Sequence, residues 1–274
     1  MTAFLARNER FDRVGSTNDV VRDWLASGTP EVCLAVADEQ TTGRGREARR
    51  WVAPRGAALL LSLGFRPTWL APDQAWRLAA VVSLAMAEAA EARETALGLA
   101  DGTIRLKWPN DLVVETRPGD VRKLAGVLGE TDGLGTADPR VVVGLGINAD
   151  WPATSFPAEL AGSMTSLREV AGRPVDRDTL LARFIARLEP RIERLRAGIF
   201  DGAGWEARQL TTGRTIRLVG APGNEIVRAL GVDPWTGALI VTADRTADPT
   251  AGVRHVLVGD ITHVRLAEPI AEAV

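Results

Sequence analysis

The chain has 274 residues, 46% hydrophobic and 25% charged, with a formal net charge of -2; these are ordinary values for a soluble globular protein of one large domain or a main domain with an appendage, and they provide no global field to draw in nucleic acid or a membrane surface. Its one cysteine, Cys33, excludes an intrachain disulfide. The first ten residues are too charged for a signal peptide, and the most apolar run, 78–90, is short and broken by Glu88, so a cytoplasmic protein is expected.

In chain order, Gly15-Ser16-Thr17-Asn18 comes before a helical run at 19–27. Ser16 or Thr17 reads as its N-cap, Val20, Val21, Trp24 and Leu25 as its buried face, and Gly28 as its C′ residue. Cys33–Ala37 reads as a buried strand, with Cys33 an inert buried thiol. A second apolar run occupies 57–65. Between the two lies Gln40-Thr41-Thr42-Gly43-Arg44-Gly45-Arg46-Glu47-Ala48-Arg49-Arg50-Trp51. Its glycines let backbone N–H groups approach a ligand. Its arginines supply planar forks for carboxylate or phosphate oxygens, and Trp51 offers a face for a nucleobase. Unpaired, such a loop repels itself and is expected to stay mobile until an anion orders it. By composition alone it is equally a solvated basic turn.

A helix is predicted from Pro72-Asp73 to about Arg93, with Trp76, Leu78, Val82 and Met86 inward, as scaffold. Ile104-Arg105-Leu106 reads as a strand delivering Lys107-Trp108-Pro109-Asn110-Asp111: a cation, a proline-fixed bend, an amide and a carboxylate. Taken by itself, this pentapeptide is a turn with incidental charges. Leu112–Val114 continues as a strand, 115–120 reads as a surface turn, and Lys123 opens a third strand to Glu130. Of the 33 basic residues only Lys107 and Lys123 are lysine, the other 31 being arginine, and a pocket that needs a compact ammonium cannot accept a guanidinium fork. Arg140–Asn148 is a strand ending in Gly144-Leu145-Gly146-Ile147-Asn148; no helix follows, so it is not a dinucleotide fingerprint. The helix at 177–196 carries one apolar stripe and a kink at Pro190. From Thr215 onward, short strands separated by turns at 221–224 and 233–237 suggest a small β-barrel of about five strands. His255 and His263 read as barrel-surface residues, and no metal site is expected.

Gly43-Arg44-Gly45-Arg46 followed by Arg49 and Trp51, Lys-Trp-Pro-Asn-Asp at 107–111, Lys123-Leu124-Ala125-Gly126-Val127-Leu128 and the Gly-x-Gly-x-Asn at 144–148 occur in the order of the signature motifs of biotin–protein ligases. Met164-Thr165-Ser166-Leu167 adds a further match, and the resemblance runs from about Val14 to Leu266. Ala48 departs from it, standing where the family loop usually has glycine. The resemblance implies an α+β fold, a mixed and mainly antiparallel sheet with flanking helices, as a catalytic domain over 1–208, and an SH3-like barrel over 209–274. It implies that biotin is activated with Mg2+ and ATP to biotinyl-5′-adenylate, then transferred to a lysine of a biotin carboxyl carrier domain. Ser16, Thr17, Asn18, Gln40, Gly43, Arg44 and Gly45 would then hold biotin, and Arg46 would close over the adenylate. Arg49 and Lys107 would face phosphates, Trp51 the adenine and Asn110 the nucleotide. Gly126 and Asn148 would line the pocket, Lys123 would be the central cation and Asp111 would orient the acceptor lysine. A reaction that gathers negative charge on one phosphorus needs cations more than acid–base groups, which agrees with this inventory. Lipoate or octanoyl ligases are the enzymatic alternative, and a biotin-responsive DNA-binding repressor the non-enzymatic one. The 15 residues before Ser16 are too few for a winged helix-turn-helix, so the short form without nucleic-acid binding, monomeric or homodimeric, is expected.

Overall fold

The computed structural model describes residues 4–92, 97–220, 223–243, 252–258 and 263–266. The first part of the chain gives β1 (Arg7–Phe11), α1 (Thr17–Ala26), β2 (Cys33–Ala37), β3 (Ala58–Phe65), α2 (Trp76–Glu91), β4 (Ile104–Lys107), β5 (Asp111–Arg117), β6 (Asp120–Asp132) and β7 (Arg140–Asn148). α3 (Leu167–Ala171), α4 (Arg177–Arg196) and α5 (Gly202–Ala207) follow, then β8 (Thr215–Gly220), β9 (Gly223–Val232), β10 (Leu239–Thr242), β11 (Val253–Val256) and β12 (His263–Leu266).

Seven strands make one sheet in the order β1-β2-β3-β7-β6-β5-β4, antiparallel except for the β1–β2 pair. β2 and β3 are apolar throughout because both of their faces are covered. α1 lies on one face through Val21, Trp24 and Leu25, while α2 and α4 cover the other. The exception within β3 is Ser62, which is fully buried among leucines. Cys33 is likewise buried, and burial pushes its thiol up to about 11. β1 shows no apolar alternation and was not legible as a strand; it is held at the edge by pairing with β2.

Three boundaries differ from expectation. Pro72–Gln74 is a 3-10 turn, and the α-helix begins only at Trp76 and ends at Glu91; Arg93 lies outside the described residues. The surface turn between β5 and β6 tightens onto Pro118-Gly119, where Gly119 takes a left-handed φ of 85°. Both strands therefore lengthen, and Lys123 sits within β6, next to a register shift, instead of opening it. α4 continues through Pro190 and is capped by Asp176, whose carboxylate accepts the N–H groups of Asp178 and Thr179.

β8 to β12 form a second, five-stranded antiparallel sheet in the order β11-β10-β9-β8-β12. It meets the first sheet at its β4 edge. The segment leading into the second sheet pairs with β4, where Leu106 exchanges backbone hydrogen bonds with Arg208 and Leu210, and the Trp108 indole N–H donates to the carbonyl of Gly237, between β9 and β10, at 2.9 Å. The pentapeptide 107–111 therefore lies at the seam between the sheets. His255 is half-exposed and 3.5 Å from Asp233; the side chain of His263 lies outside the described residues. Among the described residues, no helix is long and apolar enough to cross a membrane.

Candidate functional site

A cavity of about 270 Å³ opens on the α1 face of the sheet. One end is polar. Ser16 precedes α1 as its N-cap residue in extended backbone, but its hydroxyl makes no capping bond. The capping expectation therefore holds for the backbone alone, and the Ser16 hydroxyl faces the cavity as a free donor and acceptor. The Thr17 N–H donates to Gln40 Oε1 at 2.7 Å, and Thr17 Oγ1 lies 3.0 Å from the same oxygen. Ser62 Oγ lies 2.7 Å from Thr17 Oγ1 and 2.6 Å from Asn18 Oδ1. Asn18 Nδ2 donates to Glu130 at 2.9 Å. Thr17, Asn18 and Ser62 are all almost completely buried.

The floor is made by glycines on β6 and β7. Gly126 and Gly146 are direct cross-strand partners, and the Trp51 indole lies over both. A Cβ on Gly146 would stand 2.7 Å from Trp51 Cε2, and one on Gly126 would stand 3.3 Å from Trp51 Cζ3. Two residues earlier on the same face of β7, a Cβ on Gly144 would collide with Asn18 Oδ1. What looked like a weak Gly-x-Gly pattern therefore clears room for two different side chains. The indole N–H of Trp51 is buried without a partner.

The arginine-rich loop roofs the cavity as a tight reversal, with Trp51 N–H donating to Gly43 O and Gly45 N–H to Arg49 O. Arg44 is not an unpaired charge waiting for a ligand. Its guanidinium forks onto Asp19 at 2.7 and 2.8 Å and reaches Glu130 at 3.3 Å. The hydrogen bond from Arg44 holds the Asp19 carboxyl below its usual range, and the same contact raises Arg44. One arginine of the loop is thus neutralised from within the chain, while Arg46 and Arg49 still act on each other as like charges. Gly43 lies behind the wall, where a Cβ would stand 2.6 Å from the Trp51 carbonyl, so its contribution is the close turn. Ala48 adopts a left-handed φ of 55°, the conformation for which glycine is the natural occupant.

The chain's two lysines converge on one carboxylate. Lys123 Nζ is 2.6 Å from Asp111 Oδ1, and Lys107 Nζ is 4.0 Å from Asp111 Oδ2. Lys123 also sits 5.7 Å from the Trp51 ring centroid, and its backbone is clamped by Ser163 and Thr165. Burial pushes the Lys107 ammonium below the ordinary lysine value, helped by the charges of Lys123, Arg49 and Arg265 and opposed by Asp111. Lys107 and Asp111 line a neighbouring cavity of about 310 Å³, between the α2 face and the second sheet, and Arg46 and Asn110 border both cavities. Arg46 bridges the seam by donating to Val258 O at 3.0 Å. Asn110 Nδ2 donates to Val127 O at 2.8 Å and Asn148 Nδ2 to Thr165 O at 2.9 Å, so both amides brace the walls.

Apart from Gly43, the expected site residues therefore gather around two adjoining cavities. Sequence reasoning missed Ser62, Asp19, Glu130 and Arg265. Ser62 carried a signal, as a lone hydroxyl in a leucine strand; Asp19 and Glu130 are charges paired with the distant Arg44, and Arg265 bears on Lys107 as a like charge from far along the chain.

A glycine-floored sheet with a polar-ended cavity under an arginine-rich loop defines an α+β small-molecule-binding protein with a cationic centre suited to anions. The family model of the Biotin/lipoate A/B protein ligase family matches residues 10–148. A biotin--[acetyl-CoA-carboxylase] ligase of Mycobacterium tuberculosis is 32% identical over 257 residues, 92% of this chain and 87% of that protein. The bifunctional ligase/repressor BirA of Escherichia coli is 31% identical over 247 residues, 87% of this chain and 70% of that protein. Among solved structures, the biotin protein ligase from Aquifex aeolicus in complex with biotin and ATP superposes with a TM-score of 0.74 at 24% identity, over 95% of this chain and 99% of that one. The chain belongs to the biotin/lipoate A/B protein ligase family.

Proposed function

We propose that this protein is an ATP-dependent biotin–protein ligase with a catalytic domain over 1–208 and a C-terminal domain over 209–274. The biotin carboxylate attacks the α-phosphorus of ATP; the new bond joins the carboxylate oxygen to phosphorus, the α–β phosphoanhydride bond breaks, and pyrophosphate leaves. The ε-amine of a lysine on a biotin carboxyl carrier domain then attacks the acyl carbon, and AMP leaves. Magnesium enters with ATP as part of that substrate. The intermediate is a bound mixed anhydride, so no protein nucleophile is required.

One observation carries the reading. Ser16, Gln40, Trp51, Lys123, Gly126 and Asn148, drawn from separate segments, line one cavity with a hydroxyl-rich end and a cationic end. In this reading Ser16, Thr17 and Gln40 meet the ureido group. Trp51 is the face for adenine, Arg49 and Lys107 meet phosphates, and Arg46 closes over the adenylate. Asp111 takes one of the three Lys123 N–H donors, leaving two for the carboxylate and the α-phosphate; as the adenylate collects its charge, Asp111 is released to orient the acceptor amine. The alternative of lipoate or octanoate is disfavoured by the same polar end, since an aliphatic tail placed against the Ser16 hydroxyl offers it no partner, at about 1–3 kcal/mol. Pyrophosphate release on mixing the protein with biotin and Mg-ATP, carrier omitted, tests the reading, with lipoate as competitor. Release that is independent of biotin, or equal with lipoate, overturns it.

A further inference from the structure

Most members of the polar chain behind the cavity can turn either way. A hydroxyl donates and accepts, and an amide presents either end by rotating half a turn. A carboxylate only accepts. Glu130 Oε2 lies 2.9 Å from Asn18, so Asn18 must aim its NH2 at Glu130 and its carbonyl at Ser62, 2.6 Å away. Ser62 then spends its single hydrogen on Asn18 and offers Thr17 only lone pairs. Thr17 accordingly faces two acceptors, Ser62 Oγ at 2.7 Å and Gln40 Oε1 at 3.0 Å. The orientation of Gln40 is fixed independently, because its oxygen receives the Thr17 N–H at 2.7 Å. The Thr17 hydroxyl hydrogen is therefore committed to the protein, and a lone pair is what remains for the cavity.

We propose that Glu130 is a positioning and specificity-determining residue: its charge, relayed through Asn18 and Ser62, fixes Thr17 Oγ1 as a hydrogen-bond acceptor toward the cavity and so selects a ligand that presents an N–H there. The proposal rests on the biotin reading, since a ureido ring carries such N–H groups and an aliphatic tail carries none. Two features support a fixed polarity over simple packing. Gly144 leaves Asn18 Oδ1 the room it needs at the sheet. Arg22 and Arg44 both donate to Glu130, at 2.8 and 3.3 Å, so its oxygens are engaged as acceptors.

The test is Glu130→Gln, which keeps the shape but can offer an NH2 group. Where the new NH2 group displaces Arg22 and faces Asn18, Asn18 turns over, Ser62 aims its hydrogen at Thr17, and the Thr17 hydrogen, no longer held on Ser62, can turn toward the cavity as a donor. The Glu130 side chain is 27% exposed, so the substitution leaves the fold in place. The probes are biotin and biotin methylated on a ureido nitrogen, and the readout is pyrophosphate release without carrier. The KM for biotin should rise about tenfold, as for one misaligned hydrogen bond, with kcat and the KM for ATP held within about twofold. The parent's preference for biotin over the methylated compound should shrink by the same factor. In a Ser62→Ala background the relay is already cut, and Glu130→Gln should change the biotin KM no further. An unchanged preference in Glu130→Gln, or an equal rise in the Ser62→Ala background, would overturn the proposal. Absence of biotin-dependent pyrophosphate release from the parent would instead overturn the underlying biotin reading.

Discussion

Gly144→Ala and Gly146→Ala add the same methyl group to the same face of β7, two residues apart, yet they should damage different substrates. At Gly146 the new Cβ would stand 2.7 Å from Trp51 Cε2 and 2.9 Å from Trp51 Nε1. Carbon contacts relax to about 3.5–4.0 Å, so the indole must lift by roughly 1 Å. The facing Gly126 gives it no other direction, since the ring rests on both. A displacement of about 1 Å in a positioning group costs on the order of 100-fold, and loss of one base-stacking face costs about 1–3 kcal/mol. The KM for ATP should therefore rise about 10–100-fold, while biotin binding without nucleotide stays near the parental value. At Gly144 the methyl group meets Asn18 instead and breaks its bonds to Ser62 and Glu130. Here the KM for biotin should rise tenfold or more on the scale of about 1–3 kcal/mol for an orphaned buried group, and the melting temperature should fall. Steady-state pyrophosphate release, titrated in each substrate, reads both effects. A Gly146→Ala enzyme with parental ATP dependence, or two variants weakened alike for both substrates, would refute the assignment of Trp51 to the nucleotide.

Lys123→Arg should slow adenylate formation by roughly 100-fold, the scale for one preorganised electrostatic donor, while leaving thermal stability nearly unchanged; single-turnover pyrophosphate release checks it, and a parental rate would show that charge alone suffices. Lys107→Met should abolish adenylate formation yet raise the melting temperature near neutral pH. Burial lowers the Lys107 pKa, so the unfolded chain binds the proton more tightly, and the cost to folding is present below the folded value and fades as pH rises toward the ordinary 10.5. The gain in Lys107→Met should shrink over that same alkaline range, in melts recorded against pH. Ala48→Gly should remove a left-handed backbone cost of about 1–2 kcal/mol, less the extra entropy of glycine in the unfolded chain; a melting temperature at or slightly above that of the parent is expected, and a clear fall would contradict the strain.

Local sequence determined a large part of this protein. Continuous apolar runs marked β2, β3 and β7, because strands covered on both faces need no alternation. The heptad-like stripe of Leu180, Phe184 and Leu188 marked α4. The motifs at 43–51, 107–111 and 123–128 named the residues that gather at the cavities, since turns, glycines and isolated charges are written in consecutive positions. Tertiary structure decided the rest. Nothing near Arg44 in sequence shows that Asp19 and Glu130 will neutralise it, nor does the interval between the two lysines show that Asp111 serves both. β1 became a strand only because β2 offered it an edge. Ser62 stood out as a lone hydroxyl in a leucine strand, but only folding set it between Thr17 and Asn18. Propensity and periodicity record what a residue shares with its neighbours along the chain. The direction of a hydrogen bond or the pairing of a charge depends on which distant group the fold brings to within about 3 Å, and only the tertiary structure fixes that.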